Sequence, residues 1–68
     1  MRLGLKEARS KAGLTQEQAG ALIGKTRSAY TKIESGIQEL TAADAILLAR
    51  ELKTIVEVIT PDTSEVPE

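Results

Sequence analysis

Apolar positions return every three or four residues along most of the chain, and each run stops at a glycine or a polar cap. Leu5, Ala8 and Ala12, with the stem of Arg9, form the first stripe, at the spacing that collects side chains on one face of an α-helix. Gly13 follows as a left-handed stop, so a first helix is predicted from about residue 3 to 12, with Gly4 weakening its opening turn. Thr15 and Gln18 stand three apart, as the two partners of a capping box must, which predicts a second helix from about Gln16 to Ile23. Gly24 then breaks the period. Thr26 caps a third helix of about nine residues that turns Tyr30 and Ile33 inward and ends at Gly36. After Gln38 and Glu39, Thr41 and Asp44 repeat the cap spacing, and Ala45, Leu48, Ala49 and Leu52 supply the stripe of a fourth helix.

The period changes at Thr54. Ile55, Val56, Glu57, Val58 and Ile59 form a mostly β-branched run, which predicts an extended strand over residues 54–60 that Pro61 ends. Residues 61–68 hold Pro, Ser, Thr and acid, with too little apolar surface to fold, and read as a disordered acidic tail. The expected organisation is a helical domain over residues 1–53, a dimerisation strand over 54–60 and the tail over 61–68. A lone strand on a helical domain is an unpaired edge, and antiparallel pairing with a second copy about a two-fold axis removes it. Ile55, Val56, Glu57, Val58 and Ile59 are therefore the expected dimer residues, with Ile46 or Leu47 beneath. The fold class expected is mainly α, with a C-terminal β-strand paired across a homodimer.

With 68 residues and neither Cys nor His, the chain has a small core and neither a disulfide nor a histidine or thiolate metal site to reinforce it. Self-association is the reinforcement left. No apolar run approaches membrane length, and Met1 to Leu5 lacks the extended apolar stretch of a signal peptide, so a cytoplasmic protein without a membrane partner is expected. No nucleophile with a base and no carboxylate pair stands in a recognisable motif. An enzyme, a cofactor and a small-molecule substrate are accordingly not expected. The net charge of -1 hides an asymmetry: residues 1–33 carry seven basic side chains against two acidic ones, and residues 34–68 carry two against eight. One half of such a molecule can face a polyanion while the other faces away.

From Leu14 to Ile33 the order is helix, glycine turn, short helix, with Ala19 and Gly20 where the two helices must cross closely, as a helix-turn-helix unit requires. The stretch GLTQEQAGALIGKTRSAYTKIESG resembles the Xre/Cro family of phage repressors and bacterial regulators. The shared features are the small residue after Ala19, the turn glycine Gly24, apolar residues at Ile23, Tyr30 and Ile33, and the closing Glu34-Ser35-Gly36. The resemblance covers residues 1 to about 53 and implies a four-helix, lambda-repressor-like helix-turn-helix domain that binds double-stranded DNA as a transcriptional regulator. Two positions depart from the family: Ala19 is smaller than the usual Leu, which leaves its space to Leu22 or Leu40, and Lys25 replaces an often apolar turn residue.

The same resemblance places Thr26 to Lys32 on the recognition helix, with Arg27, Ser28, Thr31 and Lys32 as the base-reading candidates. Arg27 carries a planar fork suited to a guanine edge, a contact worth about 1–3 kcal/mol of discrimination. Gln16 falls where family members place a Gln that touches DNA, at a helix start whose N–H groups suit a phosphate. Lys25, Thr26 and Lys32 are expected to hold phosphates. Arg9 and Glu34 align with an ion pair joining the first helix to the end of the third. The ending LKTIVEVITPD is similar to that of HipB-type antitoxins, whose strand pairs across a dimer, and so implies a toxin protein as a further partner.

Three other readings compete with this one. Tyr30 is the only aromatic residue and falls on an inward helix face, whereas binders of single strands need several stacking rings. AGALIGKT, from Ala19 to Thr26, matches a loose phosphate-loop pattern, but that chemistry needs a preceding buried strand and here a capped helix precedes the glycine. A protein-interaction module with the same fold is the remaining rival, since the fold does not by itself guarantee DNA contact. The basic amino-terminal half and Arg27 favour DNA. The expected target of such a dimer is an approximately palindromic operator, and repression from it is the expected outcome.

Overall fold

Five helices follow one another in the computed structural model, which describes residues 1–61: α1 (Leu3–Lys11), α2 (Gln16–Leu22), α3 (Arg27–Ser35), α4 (Ala42–Glu51) and α5 (Val56–Ile59). Three threonines start the middle three. The Thr15 hydroxyl accepts from Gln18 N (3.1 Å) while Thr15 N donates to Gln18 Oε1 (2.8 Å), a complete capping box. Thr26 accepts from Ala29 N and Thr41 from Asp44 N, each at 3.2 Å. Gly36, at φ 91°, closes α3 in the left-handed region that a side chain resists.

Leu5, Ala19, Tyr30, Ile33, Ala45, Leu48 and Ile59 are fully buried, one or two from every helix. Ala12, expected on the inner stripe of α1, is instead exposed. Leu40 is buried and Leu22 packs at the edge of the same cluster as Ala19. The core thus sits between α2, α3 and α4, with α1 and α5 closing its remaining side.

The strand expected over residues 54–60 is not formed. Ile55 is extended, but Val56–Ile59 is a single helical turn, with Val58 N donating to Ile55 O (3.0 Å) and Thr60 N to Val56 O (3.1 Å). One chain gains little from a lone strand, whose donors and acceptors would all lack partners, whereas one helical turn satisfies several internally and drives Ile59 into the core. β-propensity is mainly a statement about fit to a neighbouring strand, and no neighbouring strand exists among the described residues. Gly4 permits the arrangement, because a Cβ there would collide with the carbonyl oxygen of Val58. Of the expected dimer residues, Ile59 is therefore unavailable and Val56 half-buried, while Ile55, Glu57 and Val58 stay exposed. Of the expected tail, residues 62–68 lie outside the described residues.

The turn from α4 to α5 holds a second departure from ordinary backbone. Lys53 has φ 55°, the left-handed conformation that glycine usually takes after a helix. Thr54 N donates to Ala49 O (2.8 Å) and Lys53 N to Arg50 O (3.3 Å), the paired bonds of a Schellman ending.

Candidate nucleic-acid interface

The crossing of α2 and α3 depends on a missing side chain. A Cβ on Gly20 would lie 3.0 Å from Lys25 O and 3.1 Å from Tyr30 Cβ, so only glycine lets the helices meet at this distance without a shift. Gly24 then reverses the chain at φ 68°. Lys25 N donates back to Gly20 O (2.9 Å), which fixes where α3 begins.

On the outer side of that crossing, Gln16, Arg27, Ser28, Thr31 and Lys32 line one shallow depression. Arg27 borders a second one with Thr15, Gln16 and Glu17. Five of the seven expected contact residues thus share one surface. Arg27, Ser28 and Lys32 are exposed, and the Arg27 guanidinium meets no acceptor among the described residues. The Thr31 hydroxyl donates to Arg27 O (2.8 Å), which leaves its methyl group and a lone pair for a ligand. The remaining two are engaged elsewhere. The Thr26 oxygen caps α3, and Lys25 is half-buried with Nζ 3.8 Å from Asp44 Oδ2, a weak tether to the first turn of α4 rather than a freely solvated ammonium.

Behind this face lies a charged junction. Arg9 Nε donates to Glu34 Oε2 (2.8 Å) and Arg9 Nη2 to Oε1 (3.2 Å), while Arg9 Nη1 reaches Leu14 O (2.9 Å) in the turn before α2. The Tyr30 hydroxyl donates to Glu34 Oε2 (2.9 Å) and the Gln16 amide to Glu34 Oε1 (3.0 Å). Glu34 is 2% exposed and Arg9 13%, so the pair is largely removed from water and its geometry matters. Burial would raise the Glu34 carboxyl, but the hydrogen bonds from Arg9, Gln16 and Tyr30 and the Arg9 charge outweigh burial and hold it below its ordinary value. The Tyr30 hydroxyl is pushed up, first by burial and then by its bond to the carboxylate. Arg9 is raised as well, chiefly by its hydrogen bond to Glu34.

Three of the contacts that hold this junction are not legible in the sequence: those of Gln16 and Tyr30 to Glu34, and those of Arg2. Tyr30 was legible as a core residue, but not as a donor to Glu34. Arg2, which is also buried, was missed entirely: its backbone N donates to Glu34 O (2.8 Å), and its guanidinium reaches Ile33 O, Gln38 O (3.0 Å) and Thr60 O (3.3 Å). It ties the chain start to the ends of both α3 and α5. Carbonyl partners belong to every residue type, so no motif announces such a contact. AGALIGKT covers the second half of α2 and the turn after it, and no strand precedes it among the described residues. No group of residues placed to hold a metal ion occurs among the described residues, and no described helix is long and apolar enough to cross a membrane.

A capped helix, a glycine turn and a second helix with an exposed basic face define a helix-turn-helix protein. Residues 5–57 match the family described as Helix-turn-helix, and the chain belongs to that Xre/Cro-like family of DNA-binding transcription regulators. No curated protein matches the chain.

Proposed function

We propose that the protein is a sequence-specific transcriptional repressor that binds a palindromic operator as a cytoplasmic homodimer. The observation that carries this reading is the convergence of Gln16, Arg27, Ser28, Thr31 and Lys32 on one surface, with no acceptor for the Arg27 fork among the described residues. Arg27, Ser28 and Thr31 read base edges; Gln16, Thr26 and Lys32 hold phosphates, joined by Lys25 once it leaves Asp44.

Dimerisation is supported by size and by surface. A chain this small buries only about 60% of the area its unfolded form exposes, and Leu3, Ile46, Leu47, Ile55 and Val58 remain 40–58% exposed. Residues 54–60 do not supply an edge for pairing, so side chains rather than a shared sheet make the contact. The antitoxin reading and its toxin partner rested on that strand and lose their support with it.

Two recognition helices related by a two-fold axis enter successive major grooves about 34 Å apart. Selection of retained duplexes from a random pool tests this reading. The expected product is one short motif repeated in inverted orientation, about one helical turn apart. Retention of no duplex at all would favour the protein-interaction module with the same fold.

A further inference from the structure

Gln16 makes two contacts that the Arg9–Glu34 pair does not require. Its amide nitrogen donates to Glu34 Oε1 (3.0 Å) and its oxygen faces the Thr31 hydroxyl at 3.3 Å. A carboxylate has only lone pairs to offer. The nitrogen end of the amide must therefore face Glu34 and the oxygen end Thr31, an orientation decided by chemistry. The second amide N–H has no acceptor among the described residues, and Gln16 lines the depression between α2 and α3 on the outer face.

We propose that Glu34 is a positioning residue for the DNA face: it holds the Gln16 amide nitrogen so that its second N–H is offered to the duplex. A single outward donor fits an acceptor oxygen. Gln16 opens α2, the helix that crosses the DNA backbone in this architecture, rather than α3, which lies in the groove. The acceptor is thus a phosphate oxygen, and Gln16 contributes equally to every sequence. This inference rests on the DNA-binding reading above and adds to it the role of Glu34 behind the surface.

The chain has two internal controls, Gln18 and Gln38, whose amide nitrogens make no hydrogen bond to the protein among the described residues. In the free protein, nuclear magnetic resonance should show the two ε protons of Gln16 more widely separated, and slower to exchange with water, than those of Gln18 and Gln38. Glu34→Gln should remove that difference, because a carboxamide has one acceptor atom and Arg9 claims it. On DNA, Gln16→Met should weaken binding by about 100-fold, the least expected when each subunit of the dimer loses a hydrogen bond to a charged acceptor, on operator and scrambled duplexes alike. The salt dependence should stay as in the parent, since a neutral amide displaces no counterion. Gln16 protons indistinguishable from those of Gln18 and Gln38 would overturn the positioning role. A loss confined to one base-pair position would overturn the phosphate assignment. A parent protein that binds no duplex would overturn the outward donor along with the repressor reading, while the amide signature, measured without DNA, still reports on Glu34.

Discussion

At the junction of α1 with α3, Arg9, Glu34, Tyr30 and Gln16 meet through charge-assisted hydrogen bonds of 2.8–3.2 Å; at the junction of α1 with α5, Gly4 meets the backbone of Val58 above a fully buried Ile59. Both hold α1 to the rest of the domain. The first is specified by what its side chains are, because a buried carboxylate tolerates few substitutes for an arginine, a phenol and an amide. The second is specified by what Gly4 lacks, and by an isoleucine that any apolar environment would accept. Polar junctions resist change through unmet hydrogen bonds, and apolar ones through lost contact and overlap.

The largest effect of breaking either junction is expected for Arg9→Ala. It strands a carboxylate that is 2% exposed, at a cost of about 3 kcal/mol, near the lower end for a buried pair because Tyr30 and Gln16 still donate to it. In a domain of this size the thermal midpoint should fall by more than 10 °C or so. A melt unchanged from the parent would mean that the pair is as weak as an exposed one. The same junction sets the response to acid. Glu34 is held below its ordinary value, so its contribution is complete above the unfolded glutamate pKa of about 4.3 and is lost as pH falls through the lower folded value. The slope of stability against pH in that acid range should flatten in Arg9→Ala. Tyr30 acts with the opposite sign: its raised pKa gives stability that is complete below about pH 10 and lost above it.

Gly4→Ala tests the apolar junction. The new methyl meets the Val58 carbonyl, α5 must move, and the gain in helix propensity recovers only part of the loss. A net destabilisation of about 2 kcal/mol is expected by denaturant titration. Increased stability would show that α5 does not rest on α1. The smallest effect has the opposite sign: Lys53→Gly relieves a left-handed residue at the end of α4 and should stabilise by up to about 1 kcal/mol, less whatever entropy glycine adds to the unfolded chain.

The contrast between the junctions also marks where the sequence could be read. The caps at Thr15, Thr26 and Thr41, the stop at Gly36 and the inward positions of Tyr30 and Ile33 were all legible, because each follows from a local rule of spacing. Arg9 and Glu34 were paired through resemblance to a family, and the structure places them 2.8 Å apart. Ile55–Ile59 was misread because its β-branched composition is a weak preference, while the contact that decides it, Gly4 against Val58, joins residues 54 positions apart. Gly4 itself looked like a defect in α1 and is the opening through which α5 docks. On the outer face, Arg27 and Lys32 were legible as exposed cations, but the tether from Lys25 to Asp44 (3.8 Å) needs the packing of α4 against α2 before it can be seen.

Whether α3 reads DNA through Arg27 while its neighbours hold the backbone is decided by titrating the parent and Arg27→Ala against the selected palindrome and a scrambled duplex at several salt concentrations. The parent should favour the palindrome, and both affinities should fall steeply with salt. Arg27→Ala should lose at least about 30-fold on the palindrome, because one two-bond base contact worth about 1–3 kcal/mol disappears at each of two half-sites, with a smaller loss on scrambled DNA. A parent that binds neither duplex, or an Arg27→Ala loss equal on both, would contradict that reading.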